Sequence, residues 1–101
     1  IVQPDVVKCG GITQGKKIAT LALAYNQHVV VHNTTPTVAT AAVIHFAVSC
    51  SNAARRQEFP GERPELDRFF ENLLEIERGE FKVPELPVLG LLARESELNK
   101  V

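Results

Sequence analysis

The chain has 101 residues, a formal net charge of −1 and 45% hydrophobic residues, which is typical of a small globular domain or a part of one. The nearly balanced charge gives no electrostatic reason to expect nucleic acid or an anionic membrane as a partner. The longest apolar stretch, residues 38–48, contains a histidine and is too short to span a bilayer.

The cysteine and methionine content bears on the cellular setting of the chain. Cys9 and Cys50 are too few for a disulfide framework, and no signal peptide is visible, so a reducing cytoplasm is the expected compartment. The chain has no methionine and starts at Ile1. We therefore expect that it begins inside a longer protein.

A strand and a helix are predicted for the first quarter of the chain. The apolar run at residues 2–7 indicates a buried strand that Gly10 and Gly11 end. Thr13 is a candidate N-cap for a helix whose apolar residues repeat at helical spacing through residues 18–25. Asn26 is a candidate C-cap for that helix.

A second strand, a second helix and a third strand follow. Residues 28–32 have a β-branched centre and predict a strand, and Thr37 is a candidate cap for an Ala-rich helix over residues 38–49. That helix is apolar nearly all round, so we expect it to be well buried. Residues 54–59 predict a third strand that ends at Glu58. Strands that alternate with helices of this length indicate an α/β fold with a parallel sheet.

The second part of the chain has a different character. Residues 62–72 predict a charged, partly helical connector, residues 73–83 a hairpin that turns at Arg78-Gly79, and residues 95–100 a helical turn. We therefore divide one partial domain into residues 1–61, which hold the strand–helix units, and residues 62–101, which hold the connector, hairpin and tail. Three strands and two helices cannot cover both faces of a parallel sheet, so we expect the closing part of a larger protein.

Four polar residues lie at or near the C-terminal ends of predicted strands: Asp5, Lys8, His32 and Glu58. Barrels of strands and helices, and open parallel sheets, hold their active sites at this edge. A carboxylate beside an imidazole orients it and supports its protonated form, so that the pair can exchange a proton near neutral pH. A carboxyl on the next strand can hydrogen-bond a bound carboxylate if it is protonated, or steer polar groups if it is not.

Each of these residues also has a structural interpretation. Asp5 can be a turn residue, Lys8 a solvated charge and His32 a loop histidine. Glu58 can pair with Arg55 or Arg56.

Other potentially reactive side chains are expected to be structural. His28 starts its strand and would face the opposite end of the sheet, and His45 lies in an apolar helix. Cys9 has no base nearby in the sequence and is not expected to act as a nucleophile. The sequence contains neither the Cys/His spacing of a zinc site nor a glycine-rich phosphate loop.

Four strings in chain order, QPDVVKCGGITQGKKIA, VVVHNTTPTVATAAVIHFA, QEF and VPELPVLGL, resemble the C-terminal part of the enolase superfamily. The resemblance is to the mandelate racemase/muconate lactonizing enzyme group, in its sugar-acid dehydratase and racemase branch, and it covers nearly the whole chain. It implies an α/β C-terminal fragment of a modified TIM barrel, with the last three strands, two intervening helices and a tail. The usual Pro-Gly-Leu-Gly of the tail reads Pro-Val-Leu-Gly here, which leaves the conformation of this turn open.

The resemblance also implies a chemistry. Members of the family abstract a proton next to a carboxylate and stabilise the enolate on Mg²⁺. By motif match, His32 is the acid/base catalyst, Asp5 is its partner and Glu58 contacts the substrate carboxylate. Lys8 matches a commonly basic position and is given no catalytic role. The metal-binding carboxylates and the opposite-face lysine lie on earlier strands in the family, so we expect no metal site in this chain and no turnover by the chain alone.

Several functions remain open at this level. The first is part of an Mg²⁺-dependent lyase that dehydrates a small acid sugar, and the second is part of a racemase or epimerase of the same family. The third is a non-catalytic barrel fragment that self-associates through its exposed strand edges. An unrelated three-strand α/β binding module would need phosphate-loop chemistry that the sequence lacks. Which sugar acid is the substrate cannot be read from these residues.

Overall fold

The computed structural model describes residues 1–101, which form a small α/β fold of four helices, a two-stranded sheet and a 3₁₀ turn at Val88–Gly90. In chain order the elements are α1 (Gly11–Ala24), α2 (Val38–Val48), α3 (Pro64–Asp67), β1 (Ile76–Glu77), β2 (Glu80–Phe81) and α4 (Glu95–Leu98). The longest helix has 14 residues, and no helix combines the length and the apolar character that crossing a membrane requires.

Three extended segments, at residues 2–4, 28–33 and 52–58, lie side by side. Val29 in the central segment forms parallel bridges with Val2 on one side and with Ala53 on the other. The predicted parallel alignment is therefore present. The predicted continuous strands over residues 2–7, 28–32 and 54–59 are wrong in extent, because each pair of segments meets at a single bridge.

Pro4 limits the pairing between the first and central segments. The Val2 N–H donates to the His28 carbonyl at 2.8 Å, and the N–H groups of Val30 and His32 donate to the carbonyls of Val2 and Pro4 at 3.1 and 3.0 Å. The next bond of a parallel ladder would need an N–H on Pro4, which proline lacks. The ladder therefore stops after one bridge although the two segments continue in parallel.

A side chain interrupts the pairing between the central and third segments. The Val29 N–H donates to the Asn52 carbonyl at 2.9 Å, and the Ala54 N–H donates to the Val29 carbonyl at 2.8 Å. One step further, the Val31 N–H donates to Gln57 Oε1 at 2.7 Å, and Gln57 Nε2 donates to the Ala54 carbonyl. The Gln57 amide thus takes the place of a backbone peptide group, which ends the regular ladder.

The hydrophobic core lies between the extended segments and the two long helices. Val29, Val31 and Phe46 are completely buried at 0% exposure. The cluster around them consists of Val6, Ala19, Ala22, Val29, Val31, Val43, Phe46 and Cys50. The odd-numbered valines of the central segment therefore point toward the helices, which directs its even-numbered side chains to the opposite face.

Helix α1 begins earlier than predicted and ends within one residue of the prediction. Gly10, with φ of 104°, precedes the first residue, and Thr13 is exposed inside the helix, so its predicted role as N-cap is wrong. Glycine suits this position because it adopts positive φ without steric cost. At the other end, Asn26 has φ of 53°, and Asn26 and Gln27 donate to the carbonyls of Leu23 and Ala22, each at 2.9 Å. This is a Schellman motif in which Tyr25 is the C-cap and Asn26 is the positive-φ residue after it, so the predicted C-cap lies one residue beyond the observed one.

Helix α2 is buried as expected. Its buried residues are Ala39, Thr40, Ala41, Val43, Ile44 and Phe46. Thr37 occupies the N-cap position, but its hydroxyl makes no capping bond and instead donates to Asp67 Oδ1 at 2.9 Å. The residue thus joins the start of α2 to α3 in the predicted connector.

The predicted hairpin is confirmed in residues 76–81. Ile76 pairs with Phe81 and Glu77 with Glu80 across the turn at Arg78-Gly79. Both turn residues have positive φ, 53° and 79°, which is the geometry of a type I′ turn. The predicted C-terminal helical turn is present as α4.

The surface of the chain is large for its size. The accessible area is 6886 Å², whereas a folded monomer of this mass exposes about 5,700 Å². Part of the excess is apolar, since Leu21 and Tyr25 on α1 are 64% and 73% exposed. A substantial apolar face is therefore available for contact.

Gly15→Ala should destabilise the fold by about 1–3 kcal/mol, because a Cβ there overpacks the core. That atom would lie 2.9 Å from Phe46 Cε2 and 3.3 Å from Val6 Cγ1. At a helix position with open space, Gly→Ala would stabilise the fold by about 1 kcal/mol. A decrease in the free energy of unfolding therefore identifies overpacking as the cause. Urea denaturation measures the change in the free energy of unfolding. The exposed neighbour Gln14→Ala is the control and should change it by less than about 0.5 kcal/mol. A stabilised Gly15→Ala chain would contradict this packing.

Candidate functional site

Asp5 and His32 meet where the first and central segments end. His32 Nδ1 lies 3.1 Å from Asp5 Oδ2, and the Asp5 side chain is 16% exposed whereas that of His32 is 39% exposed. The pair forms because the His32 N–H donates to the Pro4 carbonyl, which aligns the two residues across the parallel segments. The sequence-predicted contact between Asp5 and His32 is therefore present.

The Asp5 carboxylate is held by several donors. Oδ1 accepts the N–H groups of Val7 and Lys8 at 2.9 and 3.2 Å, and Oδ2 also lies 3.2 Å from Lys8 Nζ. Burial is the largest single influence and raises the pKa of Asp5, but the hydrogen bonds from His32, Lys8 and the two N–H groups together lower that pKa below its ordinary value. Asp5 is therefore ionised at neutral pH.

An ionised Asp5 determines which nitrogen of His32 carries the proton. A carboxylate only accepts hydrogen bonds, so Nδ1 must donate to it. In neutral His32 the unprotonated nitrogen is then Nε2, which makes no hydrogen bond within the chain. The arrangement presents the Nε2 lone pair to a ligand.

Glu58 lies on the other side of the central segment from Asp5. Its Oε2 accepts the N–H of Asn33 at 2.7 Å. Arg55 instead lies beside Glu80, at 3.2 Å, so the predicted alternative of a Glu58 pair with Arg55 is wrong, and Arg56 is exposed without an ion pair. Because His32 and Asn33 are adjacent, the residue that contacts Glu58 directly follows the histidine that contacts Asp5.

Asn33 and Thr40 form a buried polar connection behind Glu58. Asn33 Nδ2 donates to Thr40 Oγ1 at 3.1 Å and to the Glu58 carbonyl at 3.3 Å. Thr40 Oγ1 in turn donates to the Thr35 carbonyl at 3.3 Å. These bonds attach the third segment to the start of α2.

The remaining candidate residues do not join this site. His28 is exposed at the other end of the central segment. His45 lies in α2, where its Nε2 is buried without a hydrogen-bond partner, and Cys9 Sγ lies near only the Gly11 carbonyl at 3.8 Å. No group of three His, Cys, Asp or Glu side chains in the chain could hold a metal ion.

Sequence reasoning missed Gln57 and Asn33. Gln57 precedes Glu58 in the QEF string, and Asn33 follows His32, so both adjoin residues that were predicted to be functional. Their proximity to those residues was visible in the sequence. Their hydrogen bonds were not, because the partners lie about 25 residues away in the chain.

The chain belongs to the enolase C-terminal domain-like family, whose sequence profile matches residues 1–96. The resemblance to the mandelate racemase/muconate lactonizing enzyme group is confirmed by solved structures of that group. One of them, from Jannaschia sp. CCS1, is 33% identical with a TM-score of 0.81, covering 97% of this chain and 25% of its own.

Two further relatives have described ligands or activities. The D-gluconate/D-galactonate dehydratase of Picrophilus torridus is 30% identical over 101 residues, which are 100% of this chain and 26% of that protein. A Pantoea ananatis enolase, solved with bound D-gluconate and magnesium, is 26% identical with a TM-score of 0.79, covering 95% of this chain and 23% of its own. The chain thus spans about a quarter of the length of its relatives.

Lys8→Met and His32→Phe should each raise the pKa of Asp5, because each removes a hydrogen bond that favours the carboxylate. The folded-state pKa lies below the unfolded value of about 3.9. Ionised Asp5 therefore stabilises the fold above about pH 4, and this contribution is lost as the pH falls through the folded-state pKa. An NMR titration of the Asp5 side-chain carboxyl carbon measures the shift. Lys17→Met is the control, and an Asp5 pKa unchanged in both test variants would contradict the geometry.

Proposed function

We propose that this chain is the C-terminal part of an Mg²⁺-dependent enzyme that abstracts the proton α to a carboxylate, most specifically an acid-sugar dehydratase. The observation that carries the proposal is the Asp5–His32 pair, in which His32 Nε2 has no hydrogen-bond partner, together with the Glu58 carboxylate held by the N–H of the next residue, Asn33. The dehydratase of Picrophilus torridus and the D-gluconate-bound enolase of Pantoea ananatis support a small sugar acid as the substrate.

The proposed architecture is the last three strands of a modified TIM barrel with two intervening helices. The parallel bridges of Val29 with Val2 and Ala53 support this architecture, as do the helices packed on one face. Residues 1–61 would form these last barrel units, and residues 62–101 the connector, hairpin and tail. At such a strand edge Asp5, His32 and Glu58 would face the active site.

The proposed roles follow from the hydrogen bonds of each side chain. Asp5 orients His32 through Nδ1, so that Nε2 is the atom that exchanges a proton with the substrate. In a dehydration, protonated His32 donates from Nε2 to the β-hydroxyl oxygen as the carbon–oxygen bond breaks, and water leaves. Glu58 contacts the substrate carboxylate, for which it must carry a proton or share one.

The residues of this chain do not fit a magnesium site by themselves, since no three acidic or histidine side chains converge. We propose that the complete enzyme holds Mg²⁺ on carboxylates outside residues 1–101; the magnesium bound in the Pantoea ananatis structure supports the choice of metal. Lys8, which lies beside Asp5, is positively charged and is not a ligand for a cation.

Two alternatives have their own support. A racemase or epimerase would use His32 Nε2 to take or deliver the α-proton on one face, and a racemase from Roseobacter denitrificans, described as putative, is 27% identical with a TM-score of 0.85. A non-catalytic, self-associating fragment is favoured by the exposed apolar surface, for example Tyr25 and Leu21 on α1. Size-exclusion mass of the isolated chain distinguishes this last case, because a monomer would argue against it.

His32→Asn in the complete enzyme should lower kcat by about 10²–10⁴-fold on an acid-sugar substrate, because the proton-transfer group is lost. The assay is a screen of acid sugars with Mg²⁺, followed by steady-state kinetics on the best substrate. His28→Asn is the matched control, since His28 lies on the same segment at the opposite end. Equal kcat in the wild type and His32→Asn would disprove the proposed role.

The isolated chain, residues 1–101, should show no turnover on any sugar acid and no specific Mg²⁺ binding. The physical reason is that its own side chains form no three-ligand group for a metal. Isothermal titration with Mg²⁺ and the same acid-sugar screen test this expectation. Turnover by the purified 101-residue chain would overturn it.

A further inference from the structure

We propose that Asn33 is a positioning residue that holds Glu58 in the orientation needed for substrate, an inference that rests on the proposed function. Asn33 contacts Glu58 twice. Its N–H donates to Glu58 Oε2 at 2.7 Å, and its side-chain Nδ2 donates to the Glu58 carbonyl at 3.3 Å. One residue therefore restrains both the carboxylate and the backbone of Glu58.

The burial of these groups makes the restraint strong. Asn33 is 3% exposed and Thr40, which accepts from Asn33 Nδ2, is 1% exposed. A buried amide that loses a partner retains the desolvation cost of its unpaired group, so the bonds are maintained. Because Thr40 belongs to α2, these hydrogen bonds connect Glu58 to a buried helix as well as to its own loop.

The hydrogen bond from Asn33 also leaves one particular oxygen of the Glu58 carboxylate available to a ligand. Glu58 Oε2 is occupied by the Asn33 N–H, whereas Oε1 makes no hydrogen bond within the chain. Oε1 is therefore the atom available to a substrate carboxylate. Since Asn33 follows His32 directly, the position of this oxygen relative to the imidazole is determined by one peptide unit of the central segment.

The Gln57 amide restrains the backbone just before Glu58. It bridges Val31 and Ala54, so the residue before Glu58 is attached to the same central segment. Glu58 is consequently fixed on both sides, by Gln57 before it in the chain and by Asn33 across from it. Loss of the Asn33 amide should move Glu58 without removing it.

The test is a double-mutant cycle in the complete enzyme, with Asn33→Asp, Glu58→Gln and the double variant. Asp has the shape of Asn but lacks Nδ2–H, and it places a charged acceptor against the Glu58 carbonyl. We expect Asn33→Asp to lower kcat/KM by about 10–10²-fold, as for a catalytic group displaced by about 1 Å. In the Glu58→Gln background, Asn33→Asp should lower kcat/KM by less than about 3-fold, because the carboxylate that Asn33 positions is already lost.

Asn52→Asp is the matched control. Asn52 is also buried, at 7% exposure, and its Nδ2 donates to the carbonyls of Ala19 and Gln27, each at 3.0 Å, at the opposite end of the segment. It tests whether loss of any buried amide donor reduces activity. Its effect on kcat/KM should be small, and it should be the same with and without Glu58→Gln.

Thr40→Val is the second variant if Asn33→Asp does not fold. It removes one acceptor of the Asn33 amide and should show a smaller loss with the same dependence on Glu58. If Asn33→Asp or Thr40→Val lowers kcat/KM by the same factor with and without Glu58→Gln, the proposed role of Asn33 is overturned and the proposed function is left intact. No turnover of any acid sugar by the unmodified complete enzyme would instead overturn the proposed function.

Discussion

Backbone N–H groups of the central segment point alternately to its two neighbours, and this alternation organises the rest of the chain. The even-numbered donors, Val30 and His32, bond to the first segment. The odd-numbered donors, Val29, Val31 and Asn33, bond to the third. Because an extended chain must satisfy donors on both edges, this short segment can join three parts of the sequence that are about 25 residues apart.

The candidate site is a direct consequence of the same alternation. The His32 N–H aligns the central segment with Pro4, which brings the imidazole beside Asp5. The next N–H, that of Asn33, points the other way and takes the carboxylate of Glu58. An imidazole–carboxylate pair and a separate carboxylate therefore lie at one sheet edge, although they are far apart in the sequence.

The ends of the pairing show how side chains can substitute for a regular ladder. Pro4 has no backbone N–H to donate to the central segment. The Gln57 amide provides both a donor and an acceptor where backbone groups would otherwise pair. Both devices leave the segments parallel while preventing continuous strands. The edge that results is irregular, and it is at this irregular edge that Glu58 is held by a backbone N–H.

The sequence by itself determined the features that depend on near neighbours. The nearly all-round apolar character of residues 38–49 predicted the burial of α2, Arg78-Gly79 between apolar residues predicted the hairpin turn, and Asn26 predicted the end of α1 to within one residue. The strand-end positions of Asp5 and His32 also predicted their contact, because parallel strands meet at a common edge. These properties follow from helical and strand periodicity and from local turn chemistry.

Only the tertiary structure decided which acceptor each backbone donor uses. Gly10 and not Thr13 precedes α1, and Gln57 and not a third strand satisfies Val31. Glu58 accepts from Asn33 and not from a neighbouring arginine. Several acceptors of similar strength compete for each donor, and the choice depends on distances between residues far apart in the chain, which no local pattern encodes.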